Sequence, residues 1–351
     1  MSEGISLHEL QLAARNHGMP LEALRWDVTP IGLHYLLTHY DIPDVDVATW
    51  RLELDGLVER PLSLSLDELR ARPVDEIVVT MECAGNGRAH VEPHVVSQPW
   101  LVEAVGTARW RGTPIAQLLE EVGVQEGAVE ALFVGLDRGV EGDEEQAYAR
   151  SLPVAELLRG DALLAYEVNG VPLPPQHGFP LRLVVPGWYG MTSVKWLSRI
   201  TLRDEPFDGY QMRHSYRVRL DEDESGEPIT TIAPRSLMVP PGIPEFLTRS
   251  RIVERGPCEV AGRAWSGGPE IVAVDVSTDG GAKWAPAELG DAGLGRWAWR
   301  SWRFVWEAEP GEHELCSRAR YETWAEQPLD APWNLGGYKN NAVQRVSVTV
   351  A

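Results

Sequence analysis

Residues 78–90 read "VVTMECAGNGRAH", an apolar run that gives way to glycine, asparagine and arginine with a cysteine at the junction. Valine, threonine and methionine before Cys83 predict a buried strand, and the glycines after it predict a sharp turn. Gly85 and Gly87 would let the backbone approach a bulky ligand. Arg88 is placed to hold an anion or to favour the thiolate of Cys83. An inert buried thiol at a strand end fits the same residues, so this stretch alone leaves both roles open.

Outward from this turn, strand and helix signals mix. "EALFVGLD", "DALLAYEV", "PLRLVVPG" and "VKWLSRITL" read as further strands. Ser65 and Glu68 in "SLDELRAR" have capping-box spacing. "GTPIAQLLEEVG" places Pro114 at a first helical position and Gly123 at a helix end, a grammar repeated in "SLPVAELLRG". Asn169-Gly170 predicts a two-residue hairpin. No G-x-G-x-x-G follows a strand, so the expectation is an α+β domain rather than a regular βαβ series.

Beyond about residue 217 the chain becomes charged, then proline-rich, then almost wholly strand and turn. The predicted organisation is an α+β domain over 1–220 and an all-β, immunoglobulin-like sandwich over 221–351. Asp279-Gly280-Gly281 predicts a tight hairpin. Trp297 and Trp299 alternate on one parity and Trp302, Phe304 and Trp306 on the other, which predicts a bulge near Arg300-Ser301.

The 351 residues suffice for two cores. Acidic residues outnumber basic ones 52 to 32, for a formal charge of -20. Such a surface repels phosphate backbones, so nucleic acid is not an expected partner. No apolar run reaches the length of a membrane span, and the N-terminus carries no signal-peptide pattern, so the expected location is cytoplasmic. Cys83, Cys258 and Cys316 form no C-x-x-C pair, which disfavours a disulfide framework or structural zinc.

Two other stretches carry candidate chemistry. "QHGFPLRLVVPGWYGMTSVKW", residues 176–196, sets His177, Arg182 and Lys195 around an apolar strand and a glycine turn. Three potential cations there suit a phosphate or an anionic cofactor, and they equally suit a charged rim around a core strand. In "LHYLLTHYDIP", residues 33–43, His34 and His39 are not at i, i+4, so a helical zinc pair is not expected. No nucleophile elbow, Walker loop or H-E-x-x-H is present.

"MECAGNGR", with "LLAYEVNGVPLPPQHGFPLRLVVPGWYGMTSVKWLSRI" at residues 163–200, resembles the two signature segments of the sulfite oxidase family of molybdenum enzymes. The likeness extends to "TPIGLHYLLTHYDIP", "VDVSTDGG" and "APWNLGG". The resemblance implies a molybdenum–molybdopterin domain followed by an immunoglobulin-like dimerisation domain. It makes Cys83 the protein thiolate on molybdenum, a soft ligand suited to a metal already held by sulfur. It implies cofactor contacts from Tyr35, Thr38, His39, Asp137, His177, Arg182, Ser193, Val194 and Lys195.

By the same resemblance the reaction is oxygen-atom transfer that oxidises sulfite to sulfate, with Arg88 binding the anion and Trp110 shaping the pocket. Tyr216 matches the active-site tyrosine, with Tyr210 as the alternative. Leu37 and Gly336 stand where the family carries arginines. The expectation is therefore an intact cofactor site with an altered substrate site, open to another small oxo or sulfur compound. No C-x-x-C-H haem motif occurs, so no haem is expected, and electrons would pass to an external acceptor such as a basic cytochrome. A homodimer is expected.

Overall fold

The computed structural model describes residues 4–322 and 325–351. Its first part is built on two sheets. One runs, in spatial order, Leu62–Leu64, Leu52–Gly56, Leu197–Arg203, Glu130–Glu141 and Glu144–Pro153. The other runs Asp75–Glu82, Val105–Pro114, Leu163–Val168 and Val171–Pro172, with Arg182–Val184 also paired to Leu163–Val168. Leu52–Gly56 pairs in parallel with Leu197–Arg203, and the other ladders of these two sheets are antiparallel.

Helices are few and short. Leu66–Arg70 starts as expected, with the Ser65 hydroxyl accepting from the Glu68 amide and the Glu68 carboxylate accepting from the Ser65 amide. In Ile115–Val122, Pro114 is the N-cap rather than the first helical residue, and Gly123 at φ +68 ends the helix. This helix buries Ile115, Leu118, Leu119 and Val122, a period-3.6 stripe packed in one core with Leu52, Leu54, Phe133 and Ile200. The Asn169-Gly170 hairpin forms as predicted, both residues having positive φ between the paired Val168 and Val171.

The second part is a pair of sheets sharing one core. Arg235–Met238, Gly256–Trp265, Arg300–Ala308 and Glu288–Leu289 form one sheet. Ile243–Pro244, Arg251–Val253, Gln344–Val350, Gly311–Tyr321, Ile271–Ser277 and Ala285–Pro286 form the other. Val260, Trp302 and Trp306 from the first pack against Val274, Leu315 and Val348 from the second.

Two expectations for this part need correction. Arg300–Ala308 pairs with Gly256–Trp265 in unbroken register, so there is no bulge at Arg300-Ser301. The tryptophan parity changes because Trp297 and Trp299 precede the strand, and Trp299 is buried against the first part instead. Asp279-Gly280-Gly281 does not form a tight hairpin either. It lies in a longer loop between Ile271–Ser277 and Ala285–Pro286, held by the Asp279 carboxylate, which accepts from the Ser277 hydroxyl and the Lys283 amide.

All three cysteines are free, and no helix among the described residues is long and apolar enough to cross a membrane.

Candidate functional site

Cys83 ends the strand Asp75–Glu82 and is 6% exposed. The turn after it is clamped from the second part of the chain. Glu82, fully buried, pairs with Arg235 at 2.9 Å and accepts from Trp265 Nε1 at 2.8 Å. The Lys339 amide donates to the Ala84 carbonyl, Asn340 Nδ2 to the Gly87 carbonyl, and Arg88 Nε to the Gly336 carbonyl. Arg88 folds back over the turn, its guanidinium 4.9 Å from the centre of the Tyr338 ring. Gly85 is glycine for that reason: a Cβ there would lie 2.5 Å from the Arg88 guanidinium. The close approach at Gly85 is made by the chain's own arginine.

Two cavities meet at this cysteine. The inner one is lined by Tyr35, Cys83, Asp137, His177, Arg182, Ser193 and Lys195, together with His34, Met81 and Tyr148. The outer one is lined by Arg88, Tyr216, Thr38, Gln98, Trp100 and Tyr338. Leu37, His39 and Cys83 line both.

Most of the candidates therefore converge, from five separate stretches of chain. Two do not. Trp110 is fully buried and lines neither cavity; it stacks under Arg182, whose guanidinium carbon is 4.8 Å from its ring, and so supports the inner wall. Trp100 takes the place expected of Trp110 at the outer wall. Val194 packs its side chain into the first core, while Ser193 and Lys195 on either side turn to the cavity. Tyr210, on the short helix Tyr210–Arg213, lies against Gly142 and His214 and lines neither cavity, whereas Tyr216 lines the outer one.

Asp137 reaches the inner cavity through an irregularity. The ladder between Glu130–Glu141 and Glu144–Pro153 slips between Val134 and Arg138, so that Gly135, Leu136 and Asp137 bulge out of it. His34, Trp100, Gln98 and Tyr148 also join the site. A ladder slip and a distant packing partner leave no local sequence signal.

Burial dominates the electrostatics. It lowers His34 to about 4, His39 to about 3 and His177 to about 2, so all three are neutral near pH 7. It lowers Lys195 to about 7 and Arg182 to about 10, with the Arg182 charge also opposing that of Lys195. It raises Asp137 to about 6. The Cys83 thiol is pushed up by burial and drawn back by Arg88. Tyr216, raised well above its ordinary value by burial, keeps its proton, and its hydroxyl is hydrogen-bonded to Nε2 of neutral His39.

The inner cavity fits an anionic, polar group. His34 Nε2, Asp137 Oδ1 and Arg182 Nε are buried there without hydrogen-bond partners among the described residues, and an unmet buried polar atom costs about 1–3 kcal/mol. Lys195 Nζ donates to the Leu37 and Gln176 carbonyls, and Arg182 to those of His177 and Ser193, so both cations are held in place beside the cavity. Among the described residues no group of three His, Cys, Asp or Glu side chains could hold a metal ion. Cys83 can supply one soft ligand to a metal whose other ligands come from the bound group.

Comparison with known proteins agrees with this chemistry. Residues 39–211 match the oxidoreductase molybdopterin binding domain, and residues 227–351 the Mo-co oxidoreductase dimerisation domain. Chicken sulfite oxidase is 37% identical over 342 residues, covering 91% of this chain and 72% of the relative. Mouse mitochondrial sulfite oxidase is 37% identical over 92% of this chain and 62% of the relative, so the chain spans about three-fifths of that protein's length. Tomato NADH nitrate reductase is 32% identical over 92% of this chain and 38% of its own. Among solved structures, the sulfane dehydrogenase SoxCD of Paracoccus pantotrophus shares the fold, with a TM-score of 0.81 at 24% identity, covering 100% of this chain and 95% of that one.

Proposed function

The chain belongs to the sulfite oxidase family of molybdenum–molybdopterin oxidoreductases, and on that premise we propose that it oxidises sulfite to sulfate by oxygen-atom transfer. The observation that carries this reading is the meeting of the two cavities at Cys83, one suited to an anionic cofactor and one with the buried Arg88 in its wall and Arg15 and Arg138 also lining it. Sulfite and water become sulfate, two protons and two electrons, and the electrons leave to an external acceptor.

In this reading Arg182, Lys195, His177 and Ser193 hold the phosphate end of molybdopterin, and Tyr35, Thr38, His39 and Asp137 line the rest. Cys83 ligates the metal as thiolate. When bound, the group supplies a redox-active metal and the transferable oxygen. The chain's own residues do the rest. Arg88 presents its guanidinium to the substrate anion, already oriented by the Gly336 and Gln98 carbonyls. Tyr216 stays protonated beside the reacting position because burial raises it well above its ordinary value, and its hydroxyl is hydrogen-bonded to neutral His39. Trp100 and Tyr338 wall the pocket with aromatic surface and limit water.

A second reading rests on Leu37, which lines both cavities where the family carries an arginine, and on Gly336, which offers Arg88 only a carbonyl. A pocket whose one buried cation is Arg88, with Arg15 and Arg138 engaged by the His39 carbonyl and Glu145, suits a less charged oxo or sulfur compound. Adding sulfite to the molybdenum-loaded protein separates the two. Bleaching of the thiolate-to-metal absorption at micromolar sulfite supports sulfite oxidation. Bleaching by dithionite but not by sulfite favours the second reading.

Beyond the site, the proposal includes an immunoglobulin-like second domain starting near residue 221, a homodimer, and a basic cytochrome as acceptor. The hairpin from Ile243–Pro244 to Arg251–Val253 exposes Ile243, Phe246 and Leu247, the last two at 82%, within the segment matched as a dimerisation domain.

A further inference from the structure

Leu37 and Gly336 stand in place of two expected arginines, and of the other arginines lining the outer cavity besides Arg88, Arg15 donates to the His39 carbonyl and Arg138 pairs with Glu145. One buried guanidinium nearby has no counter-charge among the described residues. Arg150, in the strand Glu144–Pro153, is 4% exposed. Its Nη1 donates to the Gln211 carbonyl, and its Nε is buried without a partner. The other buried arginines are accounted for. Arg235 pairs with Glu82, Arg263 with Asp27, and Arg251 donates to the Pro240, Pro241 and Gly242 carbonyls. Arg182 faces the inner cavity, and Arg88 the outer one.

Geometry puts the Arg150 charge behind the substrate wall. Alternation along the strand places it on the face of Tyr148, which lines the inner cavity. Its guanidinium carbon lies 5.3 Å from the centre of the Tyr216 ring, and Tyr216 lines the outer cavity with Cys83. The charged and titratable groups around it do not neutralise it. His39 beyond Tyr216 is uncharged near pH 7, and Arg217 adds to the positive field. Glu141 is held by Tyr40 and the Gln211 side chain rather than by Arg150. An arginine remains charged even when buried, and in a low-dielectric interior its field reaches across an aromatic ring.

We propose that Arg150 is a positioning residue of this enzyme, supplying from behind Tyr216 the positive charge for an anionic substrate that Leu37 and Gly336 do not provide. The inference rests on the anionic-substrate reading above. The cation also fixes the Tyr216 ring from below, so that its hydroxyl stays directed at His39.

The test compares Arg150→Met and Arg150→Lys with the parent, all molybdenum-loaded. Sulfate affinity is measured by calorimetry, and KM and kcat for sulfite at fixed ionic strength. Arg150→Met is expected to weaken sulfate binding by about tenfold or more, with the loss falling on KM more than on kcat, and Arg150→Lys to restore most of it. Unchanged sulfate affinity in Arg150→Met overturns the role, as does a loss of thermal stability with affinity intact. Should Arg150→Met fail to fold, Arg150→Gln against Arg150→Lys carries the same comparison. A parent that does not bind sulfate overturns the anionic-substrate reading and this role together, whereas a parent that binds it no better than Arg150→Met overturns the role alone.

Discussion

Three residues test the proposed site one by one. Cys83, the thiol where the cavities meet, is the sole cysteine at the site. Cys83→Ser is nearly isosteric, so the protein should fold and lose turnover by ~100-fold or more, as judged by activity beside circular dichroism. Full activity in that variant would refute the thiolate assignment. Leu37→Arg restores a cation to a wall shared by both cavities. One charge-assisted bond is worth ~1.5–3 kcal/mol, so the apparent affinity for sulfite should tighten about tenfold or more. An unchanged KM would mean that the pocket is built differently. Asp137, raised by burial from 3.8 to about 6, titrates later than in the unfolded chain. Its favourable contribution is full below its unfolded value and lost as pH rises through about 6. Cofactor-free Asp137→Asn should therefore exceed the parent in stability near neutral pH by about 2–3 kcal/mol, and the gap should close toward pH ~4. Urea melts at several pH values measure this; a pH-independent gap would contradict it.

Among the elements, the turn after Cys83 is the one whose rigidity matters most, because it aims both the thiol and Arg88. Its own backbone bonds, from Asn86 to Cys83, Arg88 to Gly85 and His90 to Gly87, are reinforced from the second part by Glu82–Arg235, Trp265, Lys339 and Asn340. Removing one partner of a buried ion pair strands the other, which costs about 3–5 kcal/mol. Arg235→Met should lose stability on that scale in denaturant melts, and Glu82→Gln combined with Arg235→Met should recover part of it. A loss below about 1 kcal/mol would show that the clamp is carried by the other bonds. The Gly135–Asp137 bulge is the second decisive element, since without the ladder slip Asp137 would not reach the cavity.

For the whole molecule, the second pair of sheets does more than append a dimerisation surface: it completes the first part's site through Gly336, Tyr338 and Asn340. Dimer formation through the exposed hairpin would leave that clamp untouched. Replacing Phe246 and Leu247 together by aspartate should shift the protein to monomer in sedimentation experiments while molybdenum content is retained; an intact dimer would place the interface elsewhere. The charge of -20 belongs to this scale too. Reduction of a basic cytochrome should slow steeply with added salt, because exposed charges are screened beyond ~10 Å at 0.1 M. A salt-independent rate would argue against an electrostatically guided acceptor.

Much of the molecule was legible in short stretches. Ser65 and Glu68 announced a helix start, Asn169-Gly170 a hairpin, and the apolar runs around Cys83 and Arg182 their strands, because caps, turns and alternation are interactions between residues a few positions apart. The cysteine and the cation cluster, read with the two signature segments, pointed to the cofactor chemistry. The tertiary structure decided which tryptophan faces the outer cavity, which tyrosine meets His39, how Asp137 leaves its ladder, and that Arg150 stands behind Tyr216. Those outcomes depend on strand register and on packing between segments up to hundreds of residues apart, where a shift of one residue reverses every facing and leaves the local pattern unchanged.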